Sequence, residues 1–103
     1  MSTPKVAATN TERERQQQLT ELAAEHGPDW QEQYKPGSFG CHELLDRAAL
    51  LADMVEEQVL CHPSCALNPS WYALAEQAAA ALRELYRSVG AEHMAGENSG
   101  GDP

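Results

Sequence analysis

The chain has 103 residues, enough for one small domain, and carries 16 acidic and 7 basic residues for a net charge of −9. Nucleic-acid phosphates and anionic membrane surfaces both attract basic proteins, so we expect neither as a partner. The excess of acid favours a solvated surface; a face for a basic protein partner, or a mimic of DNA, stays open as an alternative.

The expected location is cytoplasmic. The first thirty residues contain no apolar core of the kind that a signal peptide carries. Three cysteines are an odd number, which agrees better with a reducing compartment than with a disulfide framework.

The N-terminal third is predicted to contain one helix and one helical turn. Residues 1–10 show no apolar period and are expected to be disordered. The first helix is predicted over residues 11–26, where Thr11-Glu12-Arg13-Glu14 has the pattern of a capping box and Gly27 is a natural end. A short helical turn follows over about 29–34, and its Trp30 and Tyr34 are spaced to pin it onto the rest of the domain.

Two longer helices follow, over about 41–61 and 69–90. Ser38 or Gly40 can cap the first of them, and Asn68 followed by a proline is a strong start signal for the second. Apolar residues recur every three or four positions in both, as in helices that bury one stripe. In the second of these helices the predicted inner stripe is Trp71, Leu74, Ala75, Ala78, Leu82, Leu85 and Val89. The intervening segment 61–69 is a tight turn, so the helices are predicted to pack as an antiparallel hairpin.

The predicted fold class is therefore all-α. It is a long antiparallel helical hairpin plus a shorter N-terminal helix that covers one side, either a three-helix domain or half of a dimeric four-helix bundle. The single helical domain spans residues 11–94, and residues 95–103, rich in glycine and polar residues, are expected to be disordered.

Some apolar residues remain after the hairpin stripes are assigned. Leu50 and Met54 lie toward the polar side of their helix, and an alanine run gives a patch of low relief. These residues are the predicted contact surface for a protein partner or for self-association: Leu50, Met54, Ala79, Ala80 and Ala81.

The turn residues Cys61, His62 and Cys65 are the first weak candidates for chemistry. Thiols and imidazole suit zinc or copper, but a closed zinc site needs about four ligands. The favoured interpretation is structural, with one cysteine packed under the turn, the other partly exposed, and His62 capping a helix C-terminus. Metal binding and thiol redox chemistry are the alternatives, and we expect no stoichiometric metal.

Cys41 and His42 at a helix start are the second weak candidates. The dipole at a helix start favours a thiolate, so Cys41 is the expected site of any thiol reactivity. His42 and Asp46 are four residues apart and could share a metal ion, although further ligands would require the last helix to continue past Gly90. The favoured interpretation is again structural, with Cys41 buried.

The sequence does not specify a detailed function. It has no phosphate-binding loop, no dinucleotide-binding turn and no catalytic constellation, so no enzyme activity and no cofactor is expected. The first hypothesis is a small acidic helical interaction or regulatory protein that binds a protein partner through a helical face. The alternative is a metal-binding or thiol-redox protein that uses the turn or the helix start.

Overall fold

The computed structural model describes the backbone of residues 2–101 and the side chains of residues 9–96. The described part of the chain is helical and contains no strand, which confirms the all-α prediction. Its elements are helix α1 (Ser2–His26), a 3₁₀ turn (Trp30–Gln33), helix α2 (Phe39–Met54), a π-helical segment (Val55–Leu60), helix α3 (Pro63–Leu67) and helix α4 (Pro69–Gly101). The chain divides into two compact units, residues 1–32 and 33–103.

Helix α1 is longer than predicted. Thr9 and Asn10 are already helical, so Thr11 is not the N-cap and the capping-box prediction is wrong. Glu12 instead accepts hydrogen bonds from Arg15 at 2.6 Å and from Gln16 at 2.8 Å, and these bonds lower the pKa of Glu12 to about 2. Gly27 ends the helix at φ 94° as predicted, because glycine adopts this left-handed conformation without strain.

The predicted disorder is wrong for residues 9–10 and 95–96, which are helical. For residues 1–8 and 97–103 it concerns residues whose side chains lie outside the described part of the chain, and it stays a prediction. The packing of the first helix and of Trp30 on the hairpin also stays a prediction.

The second unit is an antiparallel hairpin of α2 with its π-helical extension against α4. Residues early in α2 meet residues late in α4: the rings of His42 and His93 lie 5.6 Å apart, and Arg83 reaches Glu56 near the turn. The predicted helix over residues 41–61 is present, but its hydrogen bonding changes from α to π at Val55.

The turn itself contains a helix, which the sequence analysis did not predict. Helix α3 places Pro63 in its first turn and brings Cys65 into the interior. Beyond this turn, Arg83 lies level with Asp53 and Glu56.

The predicted caps are confirmed at both long helices. The Ser38 Oγ accepts a hydrogen bond from the Cys41 amide at 3.2 Å at the start of α2. The Asn68 Oδ1 accepts hydrogen bonds from the Ser70 and Trp71 amides at 3.0 and 3.1 Å at the start of α4. Both side chains satisfy amides that a helix start leaves without an intrahelical partner.

Replacing Asn68 with alanine should lower the free energy of unfolding by about 1 kcal/mol, because it removes the acceptor for two amides. Urea denaturation of the two proteins measures the change. Amide exchange at Ser70 and Trp71 should accelerate in the variant. Equal exchange at these amides before and after the substitution would show that the cap contributes nothing.

Helix α4 continues past Gly90, where the sequence analysis ended it. A side-chain carbon at Gly90 would meet Leu45 only at ordinary contact distance, so crowding does not require glycine at this position, and the helix continues through it. The added turns bring His93 and Gly96 against the loop before α2. The Gly37 amide donates to the His93 Nδ1 at 2.9 Å, and Gly96 lies so close to Pro36 that a side chain there would clash.

Candidate functional site

The interior of the hairpin is built from small residues. Ala52 has no exposed surface. Five other residues of the described part are buried: Cys41 and Ala48 on α2, Ala79 and His93 on α4, and Cys65 on the turn helix α3. Of the described side chains, no large one is completely buried, so the larger apolar side chains lie at the edges of the helix contact or outside it.

One side of the hairpin is polar and is closed by a cross-helix ion pair. Arg83 of α4 donates to Glu56 at 2.7 Å and to Asp53 at 2.9 Å. These hydrogen bonds, to Glu56 first and then to Asp53, raise the pKa of Arg83. The pair joins the two helices across this side, although exposed ion pairs of this kind contribute little energy each.

The residues on the opposite side of the hairpin can be identified from their positions relative to the buried residues. An α-helix turns about 100° per residue, so a residue three positions after a buried one lies on one side of it and a residue one or four positions after it lies on the other. On α2, Leu51 follows a buried residue by three positions, whereas Asp53 follows one by a single position. On α4, Ala78 precedes the buried Ala79 by one position, whereas Arg83 follows it by four.

In an antiparallel pair, equal offsets in the two helices fall on the same side of the hairpin. The side away from Arg83 is therefore formed by residues from both helices that recur at spacings of three, four or seven. We call it the apolar face, and it comprises Leu44, Leu51 and Met54 of α2 and Trp71, Leu74, Ala78, Ala81 and Leu85 of α4.

The residues of the apolar face are all exposed. Leu74 is 62% exposed and Trp71 is 58% exposed, and the other large side chains of the face have more than two-fifths of their surface exposed. Between Trp71 and Leu85 the α4 part of the face contains no charged residue, and Glu92 follows at the next position on the same side. The α2 part is interrupted by Arg47, whose guanidinium lies 3.3 Å from Glu43. Exposed apolar patches with polar residues at their rim are typical of interaction sites.

The structure divides the predicted contact residues between the two sides. Met54 and Ala81 belong to the apolar face, and Leu50 is exposed just beyond it. Ala79 is only 5% exposed and packs inside the hairpin, so its prediction as a contact residue is wrong. Ala80 points to the polar side, where it lines a shallow groove with Glu56 and Arg83 among others.

The alanine run was misassigned because four consecutive alanines carry no period by themselves. Their neighbours do: the large exposed residues Trp71, Leu74 and Leu85 fall on the apolar face, and the sequence analysis placed them on the inner stripe. The buried positions of the two facing helices hold Ala48, Ala52 and Ala79 together with Cys41 and His93, whereas Leu74 and Leu85 lie exposed, which their spacing alone did not reveal.

The cysteines of the turn have separate environments. Cys65 is buried and Cys61 is exposed, in line with the structural interpretation of this cluster. His62 does not cap a helix C-terminus as expected. It precedes α3, and its Nδ1 accepts a hydrogen bond from the Ser64 amide at 3.1 Å, which makes it an N-cap. That nitrogen is therefore occupied in the turn.

Cys41 is buried at the start of α2, so the expectation that it is the most reactive thiol is not supported by its exposure. Alkylation by a maleimide should instead modify Cys61 first, because the reagent must reach the sulfur. Peptide mass mapping after brief labelling of the native protein identifies the modified residue. Faster labelling of Cys41 or Cys65 would mean that the hairpin opens more readily than its packing indicates.

His93 is the residue that sequence reasoning missed. It lies four residues after Val89, so a continued helix would have placed it on the inner stripe, but Gly90 was taken as the end of the helix. His42 is four residues from Asp46, and its Nε2 lies 3.5 Å from the Asp46 carboxylate. Within the described part of the chain, no group of three or more histidine, cysteine, aspartate or glutamate side chains has the geometry to hold a metal ion.

Over the residues that the structure describes, no helix combines the length and the apolar character that a membrane span requires. The chain matches no protein-family model, no curated protein and no solved structure.

Proposed function

We propose that this chain is a non-enzymatic interaction protein that binds a protein partner through the apolar face of its hairpin. The observation that carries the proposal is the exposure of Trp71 and Leu74 together with the leucines beside them. Large apolar side chains exposed together are costly to hydrate, and covering them releases that cost. Buried aromatic residues such as tryptophan at the centre of such a surface often supply much of the affinity in protein interfaces.

The distribution of charge supports the same function. The chain has a net charge of −9, yet its acidic residues that make cross-helix pairs lie on the polar side with Arg83. A partner that covers the apolar face therefore does not bury them. The spacing of three and four residues along both helices suits a helical partner, whose own side chains fill the gaps between those of the face.

The proposal is tested by photo-cross-linking in the cell that makes the protein. A benzophenone amino acid is placed at Leu74 in one variant and at Gln77 in a matched control, which lies one turn further along the same helix on the polar side. The Leu74 variant should cross-link to a defined protein, identified by peptide mass spectrometry, and the Gln77 variant should not.

The captured protein is then purified and its binding to the full chain is measured directly. Leu74→Glu should weaken that binding at least tenfold, whereas Gln77→Glu, which adds the same charge to the other side, should change it less than twofold. Equal cross-linking from both positions, or none from either, would contradict the proposed function.

A further inference from the structure

We propose that the partner covering the apolar face is a second copy of this chain, so that two hairpins form a four-helix bundle with two-fold symmetry. The inference rests on the proposed function and names its partner. In an interface of this symmetry each chain offers the same surface, and a surface that fits must be complementary to itself. The apolar face has this property in its sequence of large and small residues.

The alternation of large and small side chains along α4 makes its part of the apolar face complementary to a second copy of itself. Ala78 and Ala81 form a low centre, and the larger Leu74 and Leu85 rise on either side of it. Side chains of a facing helix can enter over the alanines while the leucines fill the spaces beside its own small residues. Alternation of large and small residues across facing helices is how bundle cores reach the density of protein interiors.

The area available is of the right order for a dimer. Complete burial of the apolar-face residues, whose large side chains are 41–62% exposed, would approach the roughly 800 Å² per partner that a standard interface buries. The interior of a single hairpin contains no completely buried large side chain among the described residues, so a second hairpin would supply the large-residue core that this one does not have. Chains of this size commonly gain stability by association.

The charge of the chain does not oppose this pairing at the face itself. Between Trp71 and Leu85 its α4 part has no charged residue, with Glu92 following beyond Leu85, and its α2 part holds the base Arg47, paired with Glu43. The carboxylates of Asp53 and Glu56, which pair with Arg83 across the two helices, lie on the opposite side and stay in solvent when two apolar faces meet. The net repulsion between two acidic copies is screened by salt, so association should strengthen as salt is added.

The first helix of the same chain is the competing occupant. Its residues 9–26 contain only two large aliphatic side chains, Leu19 and Leu22. A second copy of the hairpin offers a complete stripe of matching spacing on each of two helices. We therefore assign the face to a second copy and make the first helix an outcome of the test.

Sedimentation equilibrium of the full chain, over two orders of magnitude in concentration, measures the association. The mass should rise from that of the 11.3 kDa chain to twice that value and no further. Leu74→Glu should raise the dissociation constant at least tenfold, and Gln77→Glu should leave it within twofold. Helical circular dichroism of both variants must match the unmodified protein, because Leu74 and Gln77 are exposed and neither should unfold the hairpin.

Fluorescence of Trp71 gives a second readout that needs no interface variant. In a chain carrying Trp30→Phe, Trp71 is the only remaining tryptophan. Its emission should shift to longer wavelength on dilution, as the partner leaves the ring. A monomeric mass with emission that stays blue-shifted at every concentration would overturn the proposal in favour of the first helix as the cover.

The remaining outcomes separate this inference from the proposed function. A monomeric mass with solvent-exposed Trp71 emission overturns the second copy and leaves the cross-linking result to decide whether another protein binds. A dimer that Leu74→Glu does not weaken, or a mass that grows beyond two chains, would show that association uses a different surface and would also overturn the inference.

Discussion

Replacing Ala52 with leucine should destabilise the hairpin by about 3 kcal/mol, at the upper end of the usual cost of overpacking. Ala52 has no exposed surface and lies in the interior of the hairpin. Three additional carbon atoms have no space there unless the helices separate. Separation would also loosen the hydrogen bonds from Arg83 to Glu56 and Asp53, because they span the same helices. Urea denaturation followed by circular dichroism measures the loss.

The matched control is Ala80→Leu, which adds the same atoms to an exposed position on the polar side of α4. Its free energy of unfolding should stay within about 0.5 kcal/mol of the unmodified protein, as for most surface substitutions. If both substitutions cost the same, the helix contact is loose and the small residues do not define its spacing.

The existence of the hairpin could be predicted because the turn signals and the helical periods agree. Asn68 and Pro69 fix the start of α4, and Ser38 does the same for α2, through local hydrogen bonds that a sequence shows directly. A cap depends on neighbours within three residues, so a sequence can show it directly, although at Thr11 the same kind of signal lies inside a longer helix.

Which residues face inward was harder to predict, because the distance between two helices is a tertiary property. Large and small apolar residues both fit a stripe of period 3.6, and the sequence analysis assigned Trp71 and Leu74 to the interior. The structure places the alanines there and leaves those larger residues exposed. The apolar face was therefore anticipated at Met54 and Ala81 but not at the residues that give it most of its area.

The end of α4 was predicted too early, at Gly90, because only the low helix propensity of glycine was considered. Gly90 costs about 1 kcal/mol in a helix interior compared with alanine, which favours an end without requiring one. The contacts of His93 and Gly96 with the loop before α2 are long-range in sequence and favour continuation. No local signal near Gly90 reports them.

Replacing His93 with alanine should lower the free energy of unfolding by about 3 kcal/mol, because it leaves a cavity and takes the acceptor from a loop amide. The imidazole is only 3% exposed, its ring lies 5.6 Å from that of His42, and its Nδ1 accepts the hydrogen bond from Gly37 at 2.9 Å. Urea denaturation measures the stability, and amide exchange at Gly37 reports on the bond itself.

Two further substitutions separate the cavity from the hydrogen bond. In His93→Asn the side-chain oxygen lies near the place of Nδ1, so protection of the Gly37 amide should be partly retained; in His93→Leu the volume is kept and that protection should be lost. Met94→Ala, at an exposed neighbour on the same helix, should change the stability by no more than about 0.5 kcal/mol. If His93→Ala is as mild as Met94→Ala, the last turns of α4 do not hold the loop, and the hairpin ends energetically near Gly90.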